Sequence, residues 1–279
     1  MTGSPHRSGV VAIAIVFAAA AVAPAFAADR LVLEGNFTQG GLVQGRAPPG
    51  AQIALDGKPV RAGKDGSFLL GFAREAPAAV TLTARYKDGG GETRRLEIAQ
   101  RRYDIQRIDG LPPASVTPKP EDMARIADET ATLRATRTRF TDTPWYRAGF
   151  VWPVIGTISG VYGSQRILNG EPRQPHFGVD VVALAGTPVR ATAAGTVALA
   201  RDAFYFTGNT VVLDHGHGLT TVYAHLSRIA VRPGDRVAKG ATIGEVGATG
   251  RVTAAHLHWG AFLGPTGIDP ALLAGPMPE

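Results

Sequence analysis

"HLHWG" (His256–Gly260) and "YAHL" (Tyr223–Leu226) contain three of the seven histidines of the chain. Both motifs are typical of β-strands, and residues i and i+2 of a strand project from the same face. The two imidazoles of "HLHWG" are therefore predicted to point the same way, while the leucine and the tryptophan of the motif face a core. Two neighbouring imidazoles repel each other when both are protonated, so the pair favours a metal site over the alternative, an exposed polar face of an edge strand.

One further histidine and one carboxylate complete a candidate metal site. His176 and Asp180 lie in "HFGVD", in a loop that enters the predicted strand "VDVVAL". Imidazole nitrogen and carboxylate oxygen both suit Zn²⁺, and a catalytic zinc site takes three protein ligands and leaves one position open. With His225, His256 and His258, these residues supply a His, Asp and His ligand set and two more histidines for proton transfer. Spacing does not tell which of His256 and His258 would bind the metal.

Five motifs follow one another in a fixed order along the second half of the chain. They are His-x-x-x-Asp, "GTPVRA" (Gly186–Ala191), "YAHL", "GDRVAKG" (Gly234–Gly240) and His-Leu-His. In this order they resemble the M23 metallopeptidases, the LytM/lysostaphin-type endopeptidases of peptidoglycan. The resemblance covers Val151–Pro270, less than half of the chain.

The resemblance implies a role for each of the five polar residues. It assigns His176, Asp180 and His258 as the ligands of one Zn²⁺ per chain, and His225 and His256 as catalytic histidines. Zinc lowers the pKa of a bound water to about 7, so that it can attack an amide carbonyl at neutral pH. The two catalytic histidines would share general-base and charge-stabilising duties, and their division stays open.

The rest of the chain is predicted to be mainly β. Residues 28–100 contain short alternating segments such as "GSFLLGF" and "AVTLTARY" separated by Asp-Gly turns, which predicts a small β-sandwich domain. Residues 150–279 alternate dense strands and glycine turns, which predicts an antiparallel β-domain with the metallopeptidase motifs.

Residues 101–149 are predicted to form a linker with one helix. Clustered prolines in "RRYDIQRIDGLPPASVTPKP" favour an extended segment. The helix is expected from Glu121 to Arg137, with acidic residues at its start and arginines near its end, as the helix dipole favours. Its apolar face is expected to comprise the residues Met123, Ile126, Thr130 and Leu133.

Residues 1–27 are predicted to be an export signal. An apolar run (Val10–Val22) precedes "AFA" at residues 25–27, which favours cleavage after Ala27. The alternative, an uncleaved membrane anchor, is disfavoured because Pro24 interrupts the run. The chain has no cysteine, which excludes disulfides, thiolate metal sites and a lipid-bearing cysteine. We therefore expect a periplasmic protein of a Gram-negative bacterium, without stable membrane insertion after cleavage.

The formal charge of +6, from 29 basic and 23 acidic residues, suits a polyanionic partner such as a cell-wall polymer, or reflects a dispersed basic surface. No nucleic-acid-binding motif accompanies the charge. Peptidoglycan is therefore the expected partner, and nucleic acid is not. The sequence does not tell which proteins, if any, the chain binds.

The predicted function is that of an exported zinc-dependent endopeptidase, which hydrolyses amide bonds in peptidoglycan stem peptides or cross-links by a metal-activated water. The first alternative is a non-catalytic LytM-like activator of another wall hydrolase; such proteins typically lack ligands, whereas this chain has all five residues. The second is a biotinyl or lipoyl carrier domain, suggested by "GDRVAKGATIGEVG". Lys239 of that segment lies in a turn shared by both folds and lacks the setting of a modified lysine.

Overall fold

The computed structural model describes residues 1–3, 30–110 and 118–278. The predicted export signal, residues 1–27, lies outside the described residues except for its first three positions. Among the described residues, no helix combines the length and the apolar character needed to cross a bilayer.

The first described region consists of two antiparallel sheets. Its strands are β1 (Val32–Gly35), β2 (Leu42–Arg46), β3 (Gln52–Leu55), β4 (Lys58–Val60), β5 (Ser67–Gly71), β6 (Ala79–Arg85) and β7 (Gly91–Glu97). One sheet has the order β1-β2-β5 and the other β4-β3-β6-β7, and both contribute side chains such as Phe68 and Leu82 to one core. Asp56 and Gly57, with φ of 47° and 74°, form the two-residue turn between β3 and β4 that the Asp-Gly pair predicts.

The following segment contains one strand, two short 3₁₀ helices and one longer helix. These are β8 (Ile105–Ile108), the 3₁₀ turns Pro120–Asp122 and Trp145–Ala148, and α1 (Met123–Thr136). The structure thus has the helix that the sequence predicts, with its first turn wound as a 3₁₀ helix.

The packed face of α1 agrees with the expected one in part: Ile126, Thr130 and Leu133 are half-buried, but Met123 is not. Met123 is 50% exposed, whereas Glu129, a carboxylate, is buried. Glu129 accepts hydrogen bonds from the backbone N–H of Tyr205 at 2.6 Å and from Arg125 Nε at 2.7 Å. A buried charge is tolerated when it is paired in this way, and a hydrophobic pattern cannot reveal such a contact. The helix therefore packs on the protein through a polar contact at its centre, with Leu133 providing an apolar one.

The remaining residues form the large sheet that carries the candidate site, most of two smaller sheets and a short helix. The strands are β9 (Thr157–Gly160), β10 (Gln165–Leu168), β11 (Glu171–Pro172), β12 (Val179–Val182), β13 (Pro188–Arg190), β14 (Gly195–Phe204), β15 (Gly208–Asp214), β16 (Leu219–Leu226), β17 (Arg228–Ile229), β18 (Arg236–Val237), β19 (Thr242–Glu245), β20 (His256–Leu263) and β21 (Thr266–Ile268), followed by helix α2 (Pro270–Ala274). The large sheet has the order β18-β14-β15-β16-β20-β12-β9, and β21 pairs with β20. A smaller sheet, β13-β19-β17, packs with it around Trp259 and Tyr223. The fold is therefore mainly β.

Strand β8 lies in the segment that the sequence predicts to be a linker. Residues Ile105–Ile108 pair in parallel with Gln165–Leu168 of β10, and β10 forms a hairpin with β11. The segment that joins the two β-regions thus adds a strand to the hairpin that precedes His176.

The β1-β2-β5 sheet packs directly against the large sheet. Leu42 and Leu69 lie in one apolar cluster with Leu219, Ala261 and Ile268. Arg101 Nη1 also donates to the buried Asp269 carboxylate at 2.8 Å, a contact across 168 positions of sequence. Apolar burial and a shielded ion pair therefore join the two regions.

His215 is a buried histidine that should make stability depend on pH. It lies after β15 with no exposed surface; Nδ1 donates to Ala194 O at 2.7 Å, and Nε2 lies 2.7 Å from the Thr221 hydroxyl. Burial lowers the pKa of His215 to about 4, whereas it is about 6.5 in an unfolded chain. Between these pH values the unfolded state binds more protons, so we expect the free energy of unfolding to fall by about 3 kcal/mol as the pH drops from 7 to 4.

Denaturant unfolding at several pH values measures this effect, with chelator present so that metal release does not contribute. The matched control is His215→Asn, whose amide can still donate to Ala194 O but does not titrate. The wild type should lose more stability on acidification than His215→Asn does. Equal losses would show that His215 does not contribute to the pH dependence.

Candidate metal centre

His176 is held by a turn that lies before it in the chain. Its backbone N–H donates to Ser164 O at 2.8 Å, and its carbonyl accepts from the N–H of Gly163 at 2.8 Å. The ring is fixed as well, because Nδ1 donates to Val161 O at 3.1 Å. A carbonyl oxygen can only accept, so Nδ1 carries the proton and the lone pair of the neutral ring lies on Nε2, which is free to bind a metal.

Strand register brings Asp180 and His258 together. Asp180 of β12 lies directly opposite His258 of β20, and the two flanking positions of this row are Gly160 of β9 and Ala224 of β16. A Cβ added at Gly160 would lie 2.5 Å from Asp180 Oδ2. The small neighbours therefore leave room for the carboxylate and the imidazole on this face, while Leu257 and Trp259 are fully buried on the other.

Three donor atoms converge at the centre of this face. His176 Nε2 lies 3.1 Å from Asp180 Oδ1 and 2.9 Å from His258 Nδ1, and His258 Nδ1 lies 2.9 Å from Asp180 Oδ1. The side chains are about one-fifth exposed, so the group is sheltered but open to solvent.

Charge and burial act on these residues in opposite directions. Burial alone would raise the pKa of Asp180, but hydrogen bonds with His176 and His258 outweigh it and hold that pKa well below its usual range. Burial lowers the pKa of His258. It also opposes protonation of His176, yet the hydrogen bond to Asp180 raises the pKa of that imidazole overall. The carboxylate is therefore ionised, as a ligand for a cation must be.

His225 and His256 lie beside the three donor atoms. Their ring centroids are 4.8 Å apart, and His256 Nε2 is 3.9 Å from Asp180 Oδ1. Nδ1 of His225 donates to Thr249 O at 3.0 Å, and Nδ1 of His256 donates to Ala254 O at 2.9 Å. In both neutral rings the lone pair is therefore on Nε2. Burial, together with the nearby His258, lowers the pKa of His225 to about 4.

The backbone of His225 is in an unusual conformation. Its φ is 65°, in the left-handed region that non-glycine residues rarely adopt. The N–H of His225 donates to Thr207 O at 2.8 Å, which holds the residue in place at the end of β16. Such strain is typical of functional positions, where the surrounding structure fixes a side chain in a required direction.

The three donor atoms fit a zinc ion. Zn–N and Zn–O bonds are about 2.0–2.2 Å long, so ligand atoms of a tetrahedral ion lie roughly 3.3 Å apart, close to the observed spacing of 2.9–3.1 Å. Two imidazoles and one carboxylate are a ligand set that zinc accepts. Within the described part of the chain, the donor group contains these three residues and no fourth. It therefore suits a catalytic site with an open position.

The structure brings together all five residues that the sequence singles out. The groups that fix their rings, Val161 O and Thr249 O, were not anticipated, because a backbone carbonyl carries no signal in the sequence. Two further histidines, His215 and His217, lie in the loop between β15 and β16. Both are buried, and neither belongs to the donor group.

A solved structure from Pseudomonas aeruginosa, described as an M23 peptidase, matches nearly the whole chain. The two are 31% identical, with a TM-score of 0.66, over 86% of this chain and 96% of the other. This chain belongs to peptidase family M23. The sequence profile of Peptidase family M23 matches residues 174–270, which contain all five residues of the centre.

Two curated relatives match part of the chain at higher identity. The DD-carboxypeptidase/endopeptidase Mpg of Neisseria meningitidis is 43% identical over 105 residues, 37% of this chain and 24% of the relative. The peptidoglycan DD-endopeptidase ShyA of Vibrio cholerae is 46% identical over 85 residues, 30% of this chain and 20% of the relative. The match thus spans a quarter or less of the length of these relatives.

Proposed function

We propose that this M23 protein is an exported zinc-dependent endopeptidase that hydrolyses amide bonds in peptidoglycan stem peptides or cross-links. The observation that carries the proposal is the convergence of His176 Nε2, Asp180 Oδ1 and His258 Nδ1 within 3.1 Å of one another. The proposed ligands are these three residues. When bound, zinc would polarise the scissile carbonyl and lower the pKa of a water molecule to about 7.

The residues of the chain prepare the site for that chemistry. Val161 O orients His176, so that its unprotonated Nε2 faces Asp180 and His258. Asp180 offsets part of the charge of a bound cation. The glycine at position 178 lets the ring of His258 lie against the backbone, because a Cβ there would be 2.6 Å from His258 Cε1. The site is thus built before a substrate arrives.

His225 and His256 are the proposed proton carriers. Each donates Nδ1–H to a backbone carbonyl, which leaves Nε2 free to accept a proton from water and to return it to the leaving amine. A protonated imidazole at either position would also stabilise negative charge on the substrate oxygen. The two residues share the same hydrogen-bonding pattern, so both are assigned to these steps together.

The substrate class is supported by the relatives and by charge. One relative is named a DD-carboxypeptidase/endopeptidase and another a peptidoglycan DD-endopeptidase. The net charge of +6 is compatible with an anionic wall polymer. Export to the periplasm after cleavage at Ala27 belongs to the same proposal, as does the division into a signal (1–27), a small β-domain (28–100), a linker with helix (101–149) and a peptidase domain (150–279).

Purified sacculi provide the direct test. The chain should release soluble fragments with cleaved cross-links. A chelator should reduce the release to background, because removal of the proposed metal removes the activated water. Added Zn²⁺ should restore the release and added Mg²⁺ should not, since two imidazoles favour zinc over magnesium. Mass spectrometry of the fragments identifies the bond.

Two outcomes would contradict the proposal. Fragment release that persists with chelator would mean that hydrolysis does not depend on the metal. Intact sacculi with stoichiometric zinc in the protein would favour the non-catalytic activator instead.

A further inference from the structure

Four side chains from outside the large sheet form a cluster at the turn before His176. It consists of Arg74, which follows β5, with Arg101 and Tyr103 of the connecting segment and Tyr162 of the turn itself. We call these four residues the arginine–tyrosine cluster. Arg74 Cζ lies 4.4 Å from the centre of the Tyr103 ring and Arg101 Cζ lies 5.4 Å from it, while the Tyr103 and Tyr162 rings meet edge to face at 6.3 Å.

The cluster binds the turn at Gly163. Arg74 Nε donates to Gly163 O at 2.6 Å, and the Arg74 side chain is only 10% exposed. The ring of Tyr103 lies against the same residue, since a Cβ added at Gly163 would be 2.1 Å from Tyr103 Cδ1. Gly163 also has a φ of 85°, so glycine is needed both for its backbone conformation and for this close approach.

Residues 161–164 of this turn also hold His176. Gly163 N–H donates to His176 O, Ser164 O accepts from His176 N–H, and Val161 O accepts from His176 Nδ1. Arg74 and Tyr103 therefore contact the turn, and the turn holds His176, whose Nε2 faces Asp180, through three hydrogen bonds. Tyr162 also anchors the turn, because its hydroxyl donates to Gly267 O at 2.8 Å.

We propose that Arg74 and Tyr103 are positioning residues for His176, so that the region before the peptidase domain sets the metal affinity of the centre. The inference rests on the proposed metal centre. Partners that orient a ligand from outside the coordination shell typically change metal affinity by about 10–100-fold. Neither residue belongs to the group of three donor atoms.

The test is the dissociation constant for Zn²⁺ of the full chain, measured by competition with a chromophoric chelator. Arg74→Met removes the donor to Gly163 O and keeps the length of the side chain; Tyr103→Leu removes the ring. We expect both to bind Zn²⁺ about 10–100-fold more weakly. Tyr103→Phe should retain the wild-type affinity, because among the described residues the Tyr103 hydroxyl has no hydrogen-bond partner.

A matched control comes from the same N-terminal region. Arg95 of β7 forms an ion pair with Glu97, and both side chains are more than 70% exposed. Arg95→Met removes an arginine without touching the turn and should leave zinc affinity and thermal unfolding unchanged. If Arg74→Met does not fold, the comparison of Tyr103→Leu with Tyr103→Phe decides.

Wild-type zinc affinity in Tyr103→Leu and in a folded Arg74→Met would overturn the inference, even if thermal stability fell, because the cluster would then only stabilise the fold. The result is independent of hydrolysis. Weakened binding in a protein that does not cleave sacculi would uphold the positioning role and refute the proposed function. Wild-type zinc affinity in the variants of an active enzyme would refute the positioning role and leave the proposed function intact.

Discussion

His176→Ala should abolish both zinc binding and hydrolysis. The substitution removes one of three converging donor atoms and leaves Asp180 and His258, two ligands that cannot form a catalytic site of the usual kind. Loss of a group that only orients a metal ligand already lowers metal affinity or activity by about 10–100-fold. Loss of the ligand itself should therefore lower kcat/KM on cross-linked muropeptides by more than about 100-fold. Zinc content measured after purification should fall from one per chain to near zero.

The control for this variant is Asp202→Asn, which removes an exposed carboxylate on β14, outside the donor group. It should leave both zinc content and activity unchanged. His176→Ala that still retains one tightly bound zinc would mean that the ion binds elsewhere.

His225→Asn should separate metal binding from catalysis. Asparagine tolerates the left-handed backbone at this position better than alanine does, so the variant limits structural damage. Because the proposed role of His225 is proton transfer, kcat should fall by about 10²–10⁴-fold while zinc content stays at one per chain. Steady-state kinetics together with metal analysis of the same preparation measure both quantities.

The companion variant is His256→Ala. Comparison of the two pH–rate profiles would divide the roles of general base and charge stabilisation, which the matching hydrogen bonds of both rings leave open. An active His225→Asn enzyme, with kcat within a few fold of the wild type, would exclude His225 from the proton transfers.

Much of the site could be predicted because strand periodicity is a local property. The alternation in "HLHWG" places both histidines on one face and Trp259 in the core, as the structure has them. The pairing of Asp180 with His258 could not be predicted from spacing, because it depends on the register of two strands 78 positions apart. The resemblance to M23 peptidases implies that Asp180 and His258 bind the same metal.

Outside the site, the sequence does not reveal contacts between distant segments. Prolines predict an extended linker, yet Ile105–Ile108 pairs with β10, a partner that local sequence does not indicate. Met123 was expected on the packed face of α1, but the buried residue is Glu129, since Tyr205 N–H and Arg125 satisfy its carboxylate. Apolar periodicity predicts which face of a helix is hydrophobic. It does not predict a buried carboxylate that is stabilised by hydrogen bonds from distant residues.

Anomalous diffraction at the zinc edge, from crystals of the chain purified without added chelator, would locate the metal. We expect one peak per chain, at about 2.0–2.2 Å from His176 Nε2, Asp180 Oδ1 and His258 Nδ1. The fourth position should hold solvent and no protein atom. A peak at other residues, or a fourth side chain that closes the coordination shell, would contradict a catalytic centre built from these three ligands.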